Sequence, residues 1–152
     1  MKQRNRFRIS RLSRSLLVLA GMSAYAVSSA AAADLTVNVQ GVRSSDGTVR
    51  IALYDGDQGF PKEGKPVAVQ AQNALEGALV FVFPGLQPGN YAVTLFHDEN
   101  GNEELDSNLF GIPTEGYGFS NDARGSLGPP SFTDAAIVIG SSNATNAVSI
   151  QY

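Results

Sequence analysis

An acidic segment in the middle of the chain carries oxygen-bearing side chains at the spacing of a cation-binding loop. In this segment, residues 98–106, which we name the acidic loop, these side chains stand at positions one, three, five and nine, and hydrophobic Leu105 stands at position eight. A loop of the EF-hand type uses this spacing to direct carboxylates and amides at one hard cation. The sequence therefore indicates a calcium site. Its candidate side-chain ligands are Asp98, Asn100, Asn102 and Asp106.

The acidic loop departs from the EF-hand pattern at two positions. Glu103 stands at position six and Leu109 at position twelve, where the pattern has glycine and a bidentate acid. The same residue types also form turns without any metal, because Asp and Asn side chains hydrogen-bond to their own main chain. The sequence is therefore consistent with two interpretations, a calcium loop and a metal-free turn. Glu103 is either a solvated charge or a substitute ligand.

The segment after the acidic loop, residues 110–132, is rich in glycine and aromatic residues. Glycine lets the main chain approach a ligand closely, and aromatic rings stack on a sugar or a peptide. The candidate ligand contacts in and beside this segment are His97, Tyr117, Phe119, Asn121 and Arg124. The alternative is that the segment packs back on the body of the domain and Arg124 forms an ion pair. The candidate carboxylates for that pair are Asp98, Asp106 and Asp122.

No catalytic residue is predicted. His97 is the only histidine, and the chain contains no cysteine and no Gly-x-Ser-x-Gly motif. The sequence therefore lacks the set of residues that a nucleophilic triad or a zinc site requires. The carboxylates that a glycosidase would need lie together on one turn, which is more typical of solvated or cation-binding groups than of an acid and a base flanking a sugar. These carboxylates are Glu99, Glu103, Glu104 and Asp106.

Short β-rich segments must position these candidate residues, since hydrophobic residues alternate along them and clusters of Gly, Pro, Asn and Asp separate them. Asp46 and Gly47 form a tight-turn signal that predicts a hairpin between the first two strands. Pro84 is expected to end the fourth strand because proline lacks the main-chain donor. The seven predicted strands are 35–40, 48–55, 66–72, 77–83, 90–96, 135–139 and 147–152.

The connection from His97 to about Thr133 is the longest interval without a predicted strand. Ordinary connections run to about five residues, and the many hydrophobic residues of this one favour an ordered structure over a solvated tail. Short strands cannot bury one face of a sheet without a second layer. We therefore predict an all-β fold, a two-sheet β-sandwich of about seven strands with one long loop, in a single domain at residues 34–152.

Residues 1–33 are predicted to be a secretory signal peptide. A basic stretch without acidic residues precedes a short apolar stretch and a run of small residues, and the apolar stretch is too short to span a bilayer as a helix. Removing these residues leaves five basic and fourteen acidic residues, a net charge of −9. Such a charge disfavours nucleic acid and anionic lipid as partners. We expect a periplasmic or extracellular protein without a stable membrane span.

Two resemblances extend this interpretation. Residues 81–93 resemble the F-x-x-L-x-P-G-x-Y-x-V hairpin of transthyretin-like and carboxypeptidase-regulatory-like β-sandwiches, in which Leu86 and Tyr91 would pack beneath the Pro88–Gly89 turn. Nearly the whole mature chain resembles DUF2141, a family of uncharacterised exported bacterial proteins. The segments that carry the second resemblance are 97–102, 105–108, 111–121, 124–125 and 128–132.

The resemblances imply an immunoglobulin-like or transthyretin-like sandwich and no particular activity. Taken as a D-x-N-x-N-G-x-L-D calcium loop, the acidic loop matches at its four candidate side chains and adds the main-chain carbonyl of Glu104 as a ligand. We expect a non-enzymatic binding or envelope accessory protein whose partner is a protein, a peptide or a carbohydrate, with calcium as the candidate cofactor. The alternatives are a hydrolase that uses residues 97–132 and a purely structural module of a larger envelope complex.

Overall fold

The computed structural model of the protein describes residues 31–152, which form eight strands. The predicted signal peptide lies outside the described residues except at its end, where Ala33 is already the first residue of a strand. One 3-10 turn (Ser120–Asp122) and one short helix, α1 (Phe132–Ala135), lie between the last strands. The strands are β1 (Ala33–Val42), β2 (Thr48–Tyr54), β3 (Ala68–Asn73), β4 (Gly77–Leu86), β5 (Gly89–Asp98), β6 (Gly116–Phe119), β7 (Ile137–Ile139) and β8 (Ala144–Ser149).

The strands form two sheets, which confirms the predicted all-β, two-sheet fold class. One sheet has the order β4-β1-β8, and the other has the order β3-β2-β5-β6, with β7 paired to the first residues of β5. The pairing is antiparallel except between β1 and β8. Along the described chain, no helix has the length and apolarity needed to cross a membrane.

The core lies between the inner faces of the two sheets. Alternate residues of β1, β2, β4 and β5 point inward and are almost fully buried, as the period of two along a strand requires. Burial of this apolar area holds the domain together without disulfides, since the chain has no cysteine. The largest fully buried apolar side chains include Phe81, Phe83, Leu35, Ile51, Leu53 and Ile139.

Two predicted hairpins are instead crossings between the sheets. β1 pairs with β4 and β8, whereas β2 pairs with β3 and β5, so the predicted pairing of the first two strands is wrong. The Pro88–Gly89 turn likewise joins β4 of one sheet to β5 of the other. A turn signal specifies where the chain reverses and carries no information about which strand becomes the neighbour. Tyr91 is buried below this turn, where its hydroxyl donates to the carbonyl of Gln87 at 3.0 Å.

β4 continues past Pro84 to Leu86, so the prediction that Pro84 ends this strand is wrong. β4 is an edge strand of its sheet, and an edge position tolerates a residue that lacks a main-chain donor. Main-chain carbonyls of β4 are covered by side chains of β3: the amides of Gln70 and Gln72 donate to the carbonyls of Val82 and Val80 at 2.8 and 2.9 Å. These hydrogen bonds occupy carbonyl groups of an edge strand that could otherwise pair with another chain.

β6 lies in the segment that was predicted to be a loop, and its glycines explain how it forms. A Cβ atom on Gly118 would lie 2.8 Å from Cγ1 of Val148, and one on Gly116 would lie 2.5 Å from Cγ2 of Ile150. Glycine therefore lets β6 lie close against β8 and the residues after it. Main-chain hydrogen bonds between Tyr117 and Gln151, at 2.9 and 2.8 Å, tie the two segments together.

Candidate functional site

The acidic loop is organised around the carboxylate of Asp98, the last residue of β5. This side chain is fully buried, although it is charged. Its Oδ1 accepts the main-chain N–H groups of Gly101 and Asn102 at 2.8 and 3.1 Å, and its Oδ2 accepts that of Glu103 at 3.0 Å. Both oxygens of the first predicted calcium ligand are thus already occupied within the protein.

The three other candidate side chains converge on one another. The amide nitrogens of Asn100 and Asn102 donate to the carboxylate of Asp106 at 2.6 and 3.1 Å. Their Oδ1 atoms accept main-chain N–H groups two residues further along, at Asn102 and Glu104, both at 2.9 Å. These are the turns that Asp and Asn side chains form with their own main chain. The exposed Glu104 contributes a main-chain N–H to this network.

The main chain at Glu103, position six of the EF-hand pattern, has a φ angle of the kind that glycine adopts readily. Its φ angle is +70°, in the left-handed region that most residues avoid. The EF-hand pattern places glycine at this position to allow a sharp turn. Glu103 holds this conformation with its side chain directed to Arg50, whose Nη2 lies 2.8 Å from its Oε1.

Two arginines neutralise carboxylates of this region. Arg50 on β2 donates from Nε to Oδ2 of Asp98 at 3.0 Å, and Arg43 forms a bidentate ion pair with Glu99. Burial alone would raise the pKa of Asp98, but hydrogen bonds from the main chain of Glu103 and from Arg50 outweigh it and lower that pKa below its ordinary value. The hydrogen bond from Arg43 lowers the pKa of Glu99.

Glu115 is a central residue of the acidic loop that sequence reasoning missed. It is 5% exposed, and its two carboxylate oxygens accept the main-chain N–H groups of Glu99 and Asp106 at 3.0 and 3.1 Å. Glu115 therefore ties the start of the loop to its end. It stands beside Gly116, just before β6, and only the pairing of β6 with β5 brings it to the loop. No local sequence pattern signals such a contact.

His97 lies in the interior and not at a solvent-facing strand end. It is 0% exposed, and its two ring nitrogens lie 2.7 Å from the hydroxyl of Tyr152 and 2.7 Å from the carbonyl of Asp46. The carbonyl can only accept, so a neutral His97 donates from Nε2 and accepts at Nδ1 from the tyrosine hydroxyl. The same hydroxyl accepts the main-chain N–H of Arg43 at 3.0 Å. His97 thus joins the end of β5 to the two chain segments packed on it.

Three of the five candidate ligand contacts line one cleft. Tyr117, Phe119 and Arg124 border a cavity of about 200 Å³ between β6, the end of β8 and the segment 122–130. Asn121 is not among its lining residues; its amide donates to the carbonyl of Ala136 at 2.9 Å. His97 is not among them either. The remaining lining residues are Gly118, Asp122, Ala123, Gly125, Gly128, Pro130, Ser149 and Gln151.

Arg124 is exposed and forms no ion pair with any of the described residues, including the three carboxylates considered as partners from the sequence. The nearest of these along the chain, Asp122, is engaged elsewhere. Its Oδ1 accepts the main-chain N–H of Ser149 at 2.7 Å, and its Oδ2 accepts the Ser149 hydroxyl at 3.3 Å. The guanidinium of Arg124 is therefore available to a ligand.

The segment from residue 109 to residue 132 packs on the rest of the domain only in part. Rings of Phe119 and Phe132 lie edge-on to Phe60, with centroids 6.3 and 5.6 Å away. Leu109, Phe110 and Leu127 are instead almost completely exposed. The alternative that residues 110–132 pack back on the body of the domain therefore holds for Phe119 and Phe132 and not for Phe110 and Leu127.

The fold and the site together define a class of protein: an all-β, two-sheet domain whose long connection forms a polar loop and a small cleft on its surface. Comparison with protein families then identifies the family of the chain. Residues 37–147 match the family described as "Uncharacterized protein conserved in bacteria (DUF2141)", and the chain belongs to this family. No curated protein and no solved structure matches the chain.

Proposed function

We propose that the protein is an exported, non-enzymatic binding module and that the cleft beside β6 is its binding site. The observation that carries the proposal is the meeting of Tyr117, Phe119 and Arg124 around one cavity of about 200 Å³. An aromatic surface beside a few polar groups is the usual composition of a ligand site. The basic and apolar start of the chain supports export to the periplasm or the medium.

The position of His97 supports a binding role over hydrolysis. A hydrolase that used residues 97–132 would need a base that reaches the substrate. The only histidine of the chain is buried between Tyr152 and Asp46, and it is absent from the lining of the cleft. The carboxylate of Asp122, which does line the cleft, accepts hydrogen bonds from Ser149. The groups that border the cleft are thus suited to holding a ligand.

One feature favours the alternative of a structural module within a larger envelope complex. Leu109 and Phe110 follow each other at a turn that is held by Asn108, whose Oδ1 accepts the main-chain N–H groups of Phe110 and Ile112 at 2.9 and 3.1 Å. Large apolar side chains held outward in this way are typical of contacts with another protein. This turn and the cleft involve different residues, so the two roles are separable by mutation.

A ligand panel tests the binding role. We expect short peptides or small sugars to shift the amide NMR resonances of Gly118, Gly125 and Gly128 in a saturable way. Replacing Tyr117 by alanine should weaken that binding roughly fivefold, because a stacked ring is lost. Phe110→Ala is the matched control, since it removes an aromatic ring outside the cleft. If no member of the panel shifts these resonances, the proposed binding site is wrong.

A second candidate function is a stabilising calcium ion on the acidic loop, and the left-handed main chain at Glu103 favours it. Among residues 31–152, no three acidic or imidazole groups lie close enough to hold a metal. An ion would therefore rely on amide and main-chain oxygens beside Asp106, which calcium accepts. The amides of Asn100 and Asn102 would have to turn, because their nitrogens now face that carboxylate.

Calorimetric titration with calcium tests this second function. Binding should release or absorb heat, and calcium at about one hundred times its dissociation constant should raise Tm by roughly 5–10 °C. Asp106→Asn should abolish both effects. Asp57→Asn, which removes an exposed carboxylate elsewhere, should leave them unchanged. Absence of heat together with an unchanged Tm would contradict calcium binding by the acidic loop.

A further inference from the structure

We propose that the cleft beside β6 binds a carboxylate group, with Arg124 as the residue that holds it. This inference rests on the proposed binding role of the cleft and specifies the chemistry of its ligand. It follows from the charge balance of the chain, from the partners of its arginines and from the size and lining of the cavity.

The arginines of the described chain differ in whether they form an ion pair. Arg43 is paired with Glu99, and Arg50 is paired with Asp98 and Glu103. Arg124 has no such partner among residues 31–152, although acidic residues outnumber basic ones fourteen to five beyond residue 33. A guanidinium offers two parallel donors that match a carboxylate, and such bonds are stronger than neutral ones. The guanidinium of Arg124 is thus a local positive group open to an external anion, and its two parallel donors offset the repulsion from the acidic chain at short range.

The lining of the cleft supports a small ligand unit with both polar and apolar parts. Gly118, Gly125 and Gly128 contribute no side chain to this lining, and Tyr117 and Phe119 are its aromatic residues. Gly125 cannot be replaced without moving the segment, since a Cβ atom there would lie 2.3 Å from the carbonyl oxygen of Gly128. The segment beside Arg124 is thus closely folded on itself, which fixes the place of the cleft wall.

The size of the cleft restricts the source of the carboxylate. Sites for complete drug-sized ligands measure about 300–1,000 Å³, so a cavity of about 200 Å³ accommodates one small unit or the end of a longer chain. A sugar acid and the carboxyl terminus of a peptide both satisfy this limit. The shared chemistry is the carboxylate, and experiment separates the two sources.

The test uses four defined probes. The isotopically labelled protein is purified from the expressing cells and used without further processing. Glucuronic acid is compared with glucose, and acetyl-dialanine is compared with its carboxyl-terminal amide. We expect saturable shifts of Gly118, Gly125 and Gly128 with at least one of the two acids and at least tenfold weaker binding of its neutral counterpart. The acid that binds more tightly identifies the source of the carboxylate.

Variants assign the effect to one guanidinium. Arg124→Gln should weaken binding of the acid at least tenfold, and Arg124→Lys should retain part of it as a point charge. Lys65→Gln makes the same change of charge outside the cleft and should have no effect. If neutral probes bind as tightly as the acids and Arg124→Gln changes nothing, the carboxylate inference is wrong and the binding role of the cleft stands. If no probe shifts the cleft resonances, both fail.

Discussion

Replacing Asp98 by asparagine should lower the free energy of unfolding at pH 7 by about 3 kcal/mol. The buried carboxylate accepts three main-chain N–H groups of the acidic loop and one bond from Arg50. An asparagine of the same size keeps one accepting oxygen and turns a donor toward groups that are themselves donors. The loss therefore combines broken hydrogen bonds with an arginine left without its partner.

The same substitution should change how stability depends on pH. Hydrogen bonds lower the pKa of Asp98 in the folded protein below its unfolded value of 3.8. A group with a lowered folded pKa contributes stability that is complete above its unfolded pKa and is lost as pH falls through its folded pKa. Below about pH 5, the wild-type protein should therefore lose stability more steeply than Asp98→Asn.

Urea unfolding at several pH values measures both effects. Asp57→Asn is the matched control, because it removes one negative charge from an exposed side chain outside the acidic loop. It should stay within about 0.5 kcal/mol of the wild type. Equal stability of the Asp98 and Asp57 variants at pH 7 would contradict the central role assigned to the Asp98 carboxylate.

Replacing Gly47 by alanine should lower the free energy of unfolding by at least about 3 kcal/mol. Gly47 has a φ angle of +67°, and a Cβ atom there would lie 1.9 Å from the main-chain oxygen of Asp98. The obstructing atoms belong to the main chain at the end of β5, so they cannot rotate away. The substitution must shift the segment that holds Asp98 and, through it, the acidic loop.

Gly111→Ala separates the two causes of this effect. Gly111 has a similar φ angle of +75°, but a Cβ atom there would meet no atom of the described residues within 4 Å. Its replacement should cost only the strain of the left-handed conformation, about 1 kcal/mol. Thermal unfolding of the two variants measures the difference. Similar Tm values for both would show that the close approach of Gly47 to β5 does not limit stability.

These two positions show how the acidic loop depends on the sandwich. Asp98 is the last residue of β5, Arg50 comes from the neighbouring β2, and Glu115 arrives with β6. Each strand brings one charged or polar group to the loop, and none of these groups lies next to another along the chain. A substitution in the sandwich that moves one strand is thus expected to disturb the loop as well.

The sequence by itself determined the class of fold and the position of most strands. Alternating residues such as Leu35, Val37 and Val39 specify which face of a strand is buried, because side chains point to opposite faces with a period of two. The oxygen-bearing side chains of the acidic loop were likewise visible, since Asp and Asn interact with main chain only two to five residues away.

Only the tertiary structure decided which strands pair and which residues share a site. The turns at Asp46–Gly47 and Pro88–Gly89 cross between sheets, and β6 forms because Gly116 and Gly118 fit against β8. The contacts of Glu115 and the burial of His97 follow from these pairings. Local patterns specify the conformation of a segment, whereas its neighbours are chosen by burial and hydrogen bonding among residues that are distant along the chain.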